Sequence, residues 1–222
     1  MPPNLREEKK LWKKGYNFVV GLDESGRGSL AGPVVAAAVG LKKSRIKNQK
    51  LKFKIQNLKD SKKLTSKQRE KIYQFLKKYN LVKWGIGIVS EKVVDKINVK
   101  KAAELAMEKA LKNLEKKAKK RVNFLIIDGN HLNSEKLKSK KYKLVIKADE
   151  KVFTCTLSSI LAKVTRDRIM KKYSKKYPQY GFEKHKGYFT KLHFKMLKKY
   201  GPCKIHRKTF TPCKIKKSPK RS

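Results

Sequence analysis

Three acidic residues follow apolar segments of the chain at positions where metal-ion chemistry is plausible. Asp23 and Glu24 come directly after the apolar run 17–22, and Asp128 follows the run 122–127. Ligands of open α/β sheets bind beyond the carboxyl ends of the strands, so these carboxylates are expected to converge. Such a group repels itself unless cations neutralise it. Hard oxygen ligands favour Mg²⁺ or Mn²⁺, and two such ions are a common device for phosphodiester cleavage.

A second interpretation of the same acids stays open at this point. Acidic residues at strand ends also cap helices or form turns. Asp128 stands in the sequence Asp-Gly-Asn, which taken alone favours a turn.

Alternating strand and helix patterns predict the elements that must position these acids. Helical spacing of apolar residues predicts helices from Thr65 or Ser66 to about 79, at 99–118, at 156–173 and near 191–200. Residues 1–16 are expected to be a short basic helix or arm, and 42–60 a basic loop with a short strand edge. Five strands are predicted, at 17–22, 33–41, 81–90, 122–127 and 142–146. Interleaved strands and helices indicate an α/β layer structure.

The charge of the chain points to a phosphate-rich partner. There are 61 basic and 17 acidic residues, a formal net charge of +44. Self-repulsion of this size is costly unless a polyanion neutralises it, and nucleic acid is the leading candidate. A lysine excess can also follow from genome composition, so part of the charge is expected to be background.

Cysteine and apolar patterns exclude other classes. The three cysteines, Cys155, Cys203 and Cys213, form no CxxC pair, and their spacing with His206 fits no common zinc pattern. No apolar stretch reaches the roughly 18 residues of a membrane span, and the N-terminus lacks an apolar signal core. We therefore expect a cytoplasmic protein without a membrane partner.

At this point the residues resemble a known family. The segment 21–39, GLDESGRGSLAGPVVAAAV, resembles the opening signature of ribonuclease HII. The resemblance covers about 15–212 and continues in order through LKDSKKLT (58–65), VDKINVKKAAELAM (94–107), LIIDGN (125–130), SSILAKVTRDRIM (158–170), YPQYGFEKHKGYFTKLH (177–193) and HRKTF (206–210).

The resemblance implies an α/β RNase H-like fold, with a central five-stranded mixed sheet flanked by helices and a small C-terminal helical extension. Together with the basic, disorder-prone composition of the ends, the expected organisation is a basic N-terminal arm (1–16), a catalytic domain (17–175), a substrate-binding helical part (176–213) and a basic disordered tail (214–222). The implied activity is endonucleolytic hydrolysis of RNA in RNA–DNA hybrids and 5′ of single ribonucleotides in duplex DNA. Two Mg²⁺ or Mn²⁺ ions would assist it, leaving 3′-hydroxyl and 5′-phosphate ends. The implied roles are removal of misincorporated ribonucleotides and clearance of RNA primers.

Site residues carry over from the matched motifs. The implied catalytic metal ligands are Asp23, Glu24, Asp128 and Asp167. The family reads the ribose 2′-hydroxyl with a Gly-Arg-Gly backbone and a tyrosine, which correspond to Gly26, Arg27, Gly28 and Tyr188. Glycines let the backbone approach a sugar closely, and the 2′-hydroxyl distinguishes RNA from DNA. Phosphate contacts are expected from Lys62, Lys163, Arg166 and Lys186, although each alone is more often a solvated charge.

Some positions carry no expected chemistry or depart from the family. His185, His193 and His206 are expected to be structural. Ser25 and Ser158 stand where the family has Ala, and Ala148 replaces the usual Gly before Asp149. A monomer is expected, and the sequence shows no clear clamp-binding peptide.

Three other functions compete with this interpretation. A ribonuclease HIII-like specificity is disfavoured by Arg27, by Asp167 and by the short N-terminal arm. A non-catalytic basic nucleic-acid-binding protein fits the composition, but unmetallated acids at these positions would repel phosphate. A different RNase H-like nuclease, such as a resolvase, would ignore ribonucleotides.

Overall fold

The structure is a computed structural model that describes residues 2–42, 44, 64–79 and 82–214. Lys62, the predicted strand edge within 42–60 and nearly all of the basic tail lie outside these ranges. The strands are β1 (Phe18–Ser25), β2 (Val34–Lys42), β3 (Lys83–Val89), β4 (Phe124–Asp128) and β5 (Tyr142–Val145). The longer helices are α1 (Arg6–Lys13), α2 (Ser66–Tyr79), α3 (Glu91–Ile97), α4 (Val99–Ala118), α7 (Phe153–Lys176) and α9 (Lys191–Tyr200). Between them lie the short helices α5 (Glu135–Lys138), α6 (Ala148–Lys151) and α8 (Phe182–His185), and the 3₁₀ turns Pro178–Tyr180 and Thr211–Cys213.

The five strands form one mixed sheet in the order β3-β2-β1-β4-β5. β1 pairs antiparallel with β2, and β2 with β3, whereas β1–β4 and β4–β5 are parallel. The predicted α/β fold with a five-stranded mixed sheet is therefore confirmed. In the β1–β4 register, Leu22 lies opposite Ile127. The next residue of each strand is an acid, Asp23 or Asp128, so the two acids leave the sheet side by side.

Helices cover both faces of the sheet because its inner strands are apolar on both sides. On one face, Val20 and Leu22 pack with Ala106 and Leu114 of α4. On the other face, Val19 packs with a set from α1, α2 and α7 that includes Leu11, Leu76, Phe153, Leu157 and Ile160. Glycines on the strands let the helices approach closely: a Cβ at Gly21 would lie 2.5 Å from the Thr154 backbone, and one at Gly87 only 1.9 Å from the Ala106 carbonyl.

The N-terminal helix α1 is attached to the body by a buried carboxylate. Glu8 is fully buried and accepts hydrogen bonds from the backbone nitrogen of Thr154 at 2.8 Å and from its hydroxyl at 2.9 Å. Leu11 and Trp12 of the same helix are also buried. α1 thereby holds the first turn of α7, whose backbone N–H groups have no partner within the helix.

Helix α7 is longer than the predicted 156–173, since it begins at Phe153 and continues to Lys176. Hydroxyl side chains of this helix form hydrogen bonds with nearby backbone carbonyls. For example, Ser158 donates to both the Gly21 carbonyl of β1 and the Thr154 carbonyl one turn earlier. The helix therefore lies directly against the strand that carries Asp23.

The C-terminal part packs on the loop between β1 and β2. Its small core joins Ala31 of that loop to Met170, Tyr180, Phe182 and Ile205. Two isolated bridges, Ser29 with Tyr188 and Ala31 with His206, connect the same partners. Within the described ranges, no helix combines the length and apolar character needed to cross a bilayer.

Candidate active site

Asp23, Glu24 and Asp128 lie together where β1 and β4 end. Asp23 is only 5% exposed, and its Oδ1 accepts a hydrogen bond from the Glu24 backbone nitrogen at 2.7 Å. Ser159, on the adjoining face of α7, hydrogen-bonds to the Asp23 side chain. Asp128 accepts at Oδ1 from the backbone nitrogen of Ala148 at 2.7 Å. Two strands, the start of α6 and α7 therefore position this group.

Burial and neighbouring negative charges make Asp23 and Glu24 costly to ionise. Burial raises the pKa of Asp23 well above its usual value, and the charges of Glu24, Asp128 and Asp149 raise it further. Burial also raises the pKa of Glu24, although Arg27, whose guanidinium lies 3.1 Å from Oε1, opposes that shift. A buried cluster of like charges is stabilised by cations, so the electrostatics match a metal-binding role.

Asp149 is the acid that the sequence analysis left out of this group. It lies on α6, is 2% exposed, and its charge contributes to the raised pKa of Asp23. The preceding residue, Ala148, is the one that binds Asp128 through its backbone. The signal was present as the Ala148-Asp149 pair, which the sequence analysis recorded only as a departure from the family's usual Gly-Asp.

Asp167 does not join the other acids. It is eight residues beyond Ser159 on α7, which at 1.5 Å per residue is about 12 Å along the helix axis. Its Oδ1 is 2.8 Å from the Lys163 amine, one turn away. The expectation that Asp167 is the fourth metal ligand does not fit this position. We call Asp23, Glu24, Asp128 and Asp149 the acid group.

The acid group has the donor chemistry for a hard divalent ion, since all its ligand atoms are carboxylate oxygens. Among the described residues, no three acidic, histidine or cysteine side chains are already arranged around a common point. Several of the oxygens have protein donors instead, among them Asp23 Oδ1 with the Glu24 backbone nitrogen, Asp128 with Ala148 N and Glu24 with Arg27. Binding of an ion at Glu24 would therefore compete with the Arg27 ion pair.

A cleft of about 290 Å³ opens beside the acids. Its lining includes Glu24, Arg27 and Asp128. Lys100 and Glu104 of α4 and the segment 129–133 after β4 also line it. The segment contributes polar side chains that sequence reasoning did not single out, including Asn130, His131 and Asn133. The cleft is large enough for part of a nucleotide to lie against the acid group.

Two buried arginines bind backbone carbonyls of residues 26–33, which we call the glycine loop. Arg166 donates to the carbonyls of Pro33, Lys186 and Ala31 at 2.9–3.0 Å. Arg207 donates to the carbonyls of Gly26 at 2.7 Å, of Arg27 at 2.9 Å and of Gly32. Both arginines are 0% exposed.

The loop depends on glycine at Gly26. Its φ is +98°, and a Cβ there would lie 2.2 Å from Nε of Arg166. Arg27 and Gly28, in contrast, are exposed. The arginine scaffold thus presents the backbone of the predicted Gly-Arg-Gly motif at the surface.

The expected phosphate contact of Arg166 is wrong for this geometry. A guanidinium that is fully buried and bound to three carbonyls has no donor directed to solvent. Arg166 instead joins the glycine loop to the segment before Tyr188. Arg207 has the same role and was missed by sequence reasoning, although it stands in the matched segment HRKTF.

Tyr188 is half-buried beside the glycine loop. The Lys163 amine lies 5.3 Å from its ring centre and the Arg166 guanidinium 5.1 Å. Burial acts to raise the pKa of Tyr188, but the positive charges of Arg166 and Lys163 and a hydrogen bond with Ser25 outweigh it, so the pKa is lowered. Lys163 thus joins Asp167 to Tyr188, and its amine lies next to a side chain predicted to contact substrate.

Lys186 is half-buried. Its amine donates a hydrogen bond to the Glu183 carbonyl, and its backbone carbonyl accepts one from Arg166. Its phosphate contact stays a prediction.

Comparison with known proteins settles the relationship. The family model for ribonuclease HII matches residues 20–213. The chain belongs to the ribonuclease HII family. A curated ribonuclease HII from Caldicellulosiruptor bescii is 44% identical over 203 residues, which cover 91% of each chain.

Solved structures of ribonucleases H2 and HIII share the fold. The ribonuclease H2 of Pyrococcus horikoshii OT3 superposes with a TM-score of 0.71 at 26% identity, covering 89% of this chain and 95% of that one. Bst-RNase HIII in complex with Mn²⁺ has a TM-score of 0.67 at 17% identity, covering 90% and 68%. At this identity, the similarity to Bst-RNase HIII shows only a shared fold.

Membership of the ribonuclease HII family defines the activity. The protein is a metal-dependent endoribonuclease that cleaves the RNA of RNA–DNA hybrids and cuts at ribonucleotides embedded in DNA. The predicted family and enzyme class are thereby confirmed.

Proposed function

We propose that this ribonuclease HII cuts on the 5′ side of a ribonucleotide with Asp23, Glu24, Asp128 and Asp149 as ligands of two divalent ions, Mg²⁺ or Mn²⁺. The observation that carries the proposal is the position of the buried Asp23 beside three other carboxylates. Burial, together with the charges of Glu24, Asp128 and Asp149, raises the pKa of Asp23. When bound, such ions supply an activated water and stabilise the leaving oxygen. The products are a 3′-hydroxyl and a 5′-phosphate. In the cell the enzyme removes misincorporated ribonucleotides and RNA primers.

The residues of the chain position the scissile bond. The exposed backbone of Arg27 and Gly28 approaches the ribose of the ribonucleotide, because glycine leaves no side chain in the way. Tyr188 lies across from them and hydrogen-bonds the 2′-hydroxyl, while its ring packs against the adjacent deoxyribose. Lys163 neutralises a neighbouring phosphate, and Asp167 holds the Lys163 amine in place. Discrimination of RNA from DNA then rests on one hydroxyl.

The decisive assay uses a DNA duplex with one internal ribonucleotide, labelled at its 5′ end, with Mg²⁺ and then with Mn²⁺. An all-DNA duplex and an all-RNA/DNA hybrid run beside it. A single cut 5′ to the ribonucleotide, with the all-DNA duplex intact, is the expected result. Cutting of the long hybrid alone would replace the junction specificity with a ribonuclease HIII-like one.

A further inference from the structure

The C-terminal part buries three of the four histidines of the chain in one cluster. His185, His193 and His206 are 8%, 0% and 1% exposed. The rings of His185 and His193 stack with centres 4.3 Å apart, and Nε2 of His193 lies 3.0 Å from Nε2 of His206. None of these imidazoles can reach substrate. Buried polar rings of this kind are retained where their hydrogen bonds fix a structure.

The hydrogen bonds of this cluster have one direction. The backbone N–H of Cys203 donates to Nδ1 of His206 at 2.8 Å, so that nitrogen carries no proton in the neutral ring. The proton of His206 is then on Nε2, from which it is donated to Nε2 of His193. His193 consequently has its proton on Nδ1, which donates to the carbonyl oxygen of Tyr188 at 2.9 Å. One chain of bonds runs from Cys203 to Tyr188.

Both rings must be neutral for this chain to exist. If His206 were charged, the proton on its Nδ1 would point at the Cys203 N–H. If His193 were charged, the proton on its Nε2 would point at the Nε2–H of His206. Each contact would place two donors against each other. Burial, first of all, lowers the pKa of His193 to about 4 and that of His206 to about 3. The chain therefore persists across the physiological pH range.

The segment before Tyr188 needs such an attachment. Lys186 and Gly187 have consecutive left-handed φ values of +51° and +82°. A side chain at Lys186 makes this conformation unfavourable unless the surroundings hold it. The Tyr188 N–H donates to the His185 carbonyl, and the Gly187 carbonyl accepts from Leu30 of the glycine loop. The Tyr188 carbonyl is fixed by His193 from the other side.

We infer that His193 and His206 are positioning residues that set Tyr188 against the ribonucleotide through this hydrogen-bond chain. The inference rests on the proposed role of Tyr188. Two adjacent residues therefore support the two parts of the protein proposed to contact the ribonucleotide. His206 is linked to Tyr188 through His193, and Arg207 donates to the carbonyls of Gly26 and Arg27. A shift of this dipeptide would move the tyrosine and the glycine loop together.

The test compares two isosteric substitutions at His193. In His193→Asn the amide nitrogen takes the place of Nδ1 and can still donate to the Tyr188 carbonyl. In His193→Gln it takes the place of Nε2 and cannot. The readout is kcat/KM for the one-ribonucleotide duplex divided by kcat/KM for a long RNA/DNA hybrid. We expect His193→Gln to lower this ratio about tenfold and His193→Asn to restore most of it.

Two further variants separate the causes. Thr190→Ala removes the Oγ1 that accepts from the His193 backbone and caps α9, but leaves the chain intact. It should lower the melting temperature by about 2–4 °C without changing the ratio. An equal loss on both substrates in His193→Gln, or the same ratio change in Thr190→Ala, overturns the inference.

Tyr188→Ala distinguishes failure of the inference from failure of the proposed function. If Tyr188→Ala leaves the ratio unchanged, the proposed role of Tyr188 is wrong and the inference falls with it. If Tyr188→Ala lowers the ratio but His193→Gln does not, the inference alone is overturned.

Nitrogen NMR of the imidazoles tests the chain without any activity. At neutral pH the spectrum should show His206 protonated at Nε2 and His193 at Nδ1, both uncharged. His193 with its proton on Nε2 would contradict the inferred direction.

Discussion

The carboxyl group of Asp23 is buried among other negative charges, so its free energy depends on what neutralises them. Asp149 belongs to that environment and Asp167 does not. We expect Asp149→Asn and Asp23→Asn each to lower kcat by several orders of magnitude with little loss of hybrid binding. Asp167→Asn should cost less than about tenfold, since it disturbs only the ion pair with Lys163. Single-turnover cleavage and equilibrium binding measure both quantities; the reverse ranking would return Asp167 to the acid group.

Burial of Asp23 and the neighbouring negative charges predict a gain of stability when this residue is neutralised. Its folded pKa lies above the unfolded value, so the associated stability is complete below the unfolded pKa and is lost as pH rises through the folded pKa. In EDTA at about pH 8, Asp23→Asn should therefore melt higher than the parent, and the gap should close towards about pH 4. Mg²⁺ should raise the melting temperature of the parent more than that of the variant. A parent that is the more stable at alkaline pH in EDTA contradicts this.

Residue types and spacing were sufficient to find Asp23, Glu24 and Asp128, because adjacent strands of known direction end at those positions. They were insufficient to choose between Asp149 and Asp167. That choice depends on how far along α7 the sheet edge lies, which is a tertiary distance. Arg166 was misinterpreted for a related reason: the sequence carries no sign that its guanidinium is enclosed by three carbonyls.

Strand β3 and helix α4 approach so closely that a methyl group cannot be placed between them. Gly87→Ala would bring a Cβ to 1.9 Å from the Ala106 carbonyl, a backbone atom that cannot rotate away. We expect a loss of about 3 kcal/mol in unfolding free energy. Ile88→Ala on the same strand is the control, since Ile88 is 45% exposed and should cost less than about 1 kcal/mol. Urea denaturation measures both, and equal losses would place the close approach in doubt.

Helix α1 should be attached in a pH-dependent way. Burial raises the pKa of Glu8 to about 7, so its contribution to stability is present in acid and is lost as pH rises through about 7. Glu8→Gln should abolish that loss, which amounts to at most about 3 kcal/mol. The neighbouring Glu7 is the control, because its hydrogen bond with Lys143 lowers its pKa. Glu7→Gln should leave the decline near neutrality unchanged. Denaturation across the pH range would contradict this if parent and Glu8→Gln declined alike.

The elements themselves were largely predictable, and the differences have physical reasons. Five strands and the helices at 66–79, 99–118 and 191–200 follow from apolar periodicity. The first turn of α7 escaped prediction because the backbone nitrogen of Thr154 donates to Glu8, a residue 146 positions earlier in the chain. The short helices α5, α6 and α8 have too few residues for a periodic pattern to show.

Over the whole molecule, positive charge dominates, and the segment from Lys184 to the C-terminus contains no acidic residue. If this charge contacts the substrate backbone, hybrid affinity should fall about 10³-fold between 50 and 200 mM salt, as expected for roughly six phosphate contacts. Titration of the Asp23→Asn variant with a labelled hybrid measures this without turnover. A loss below about tenfold would assign most of the net charge to genome composition.

Helix α7 carries three connections in register: Ser158 on the β1 backbone, Lys163 on the ring of Tyr188 and Arg166 on the glycine loop. One residue inserted between Ser158 and Lys163 would turn everything after it by about 100°. Lys163 and Arg166 would then leave their partners together. Related sequences should therefore tolerate substitutions between Ser158 and Arg166 far better than insertions or deletions. Changes of length should occur in the surrounding loops instead.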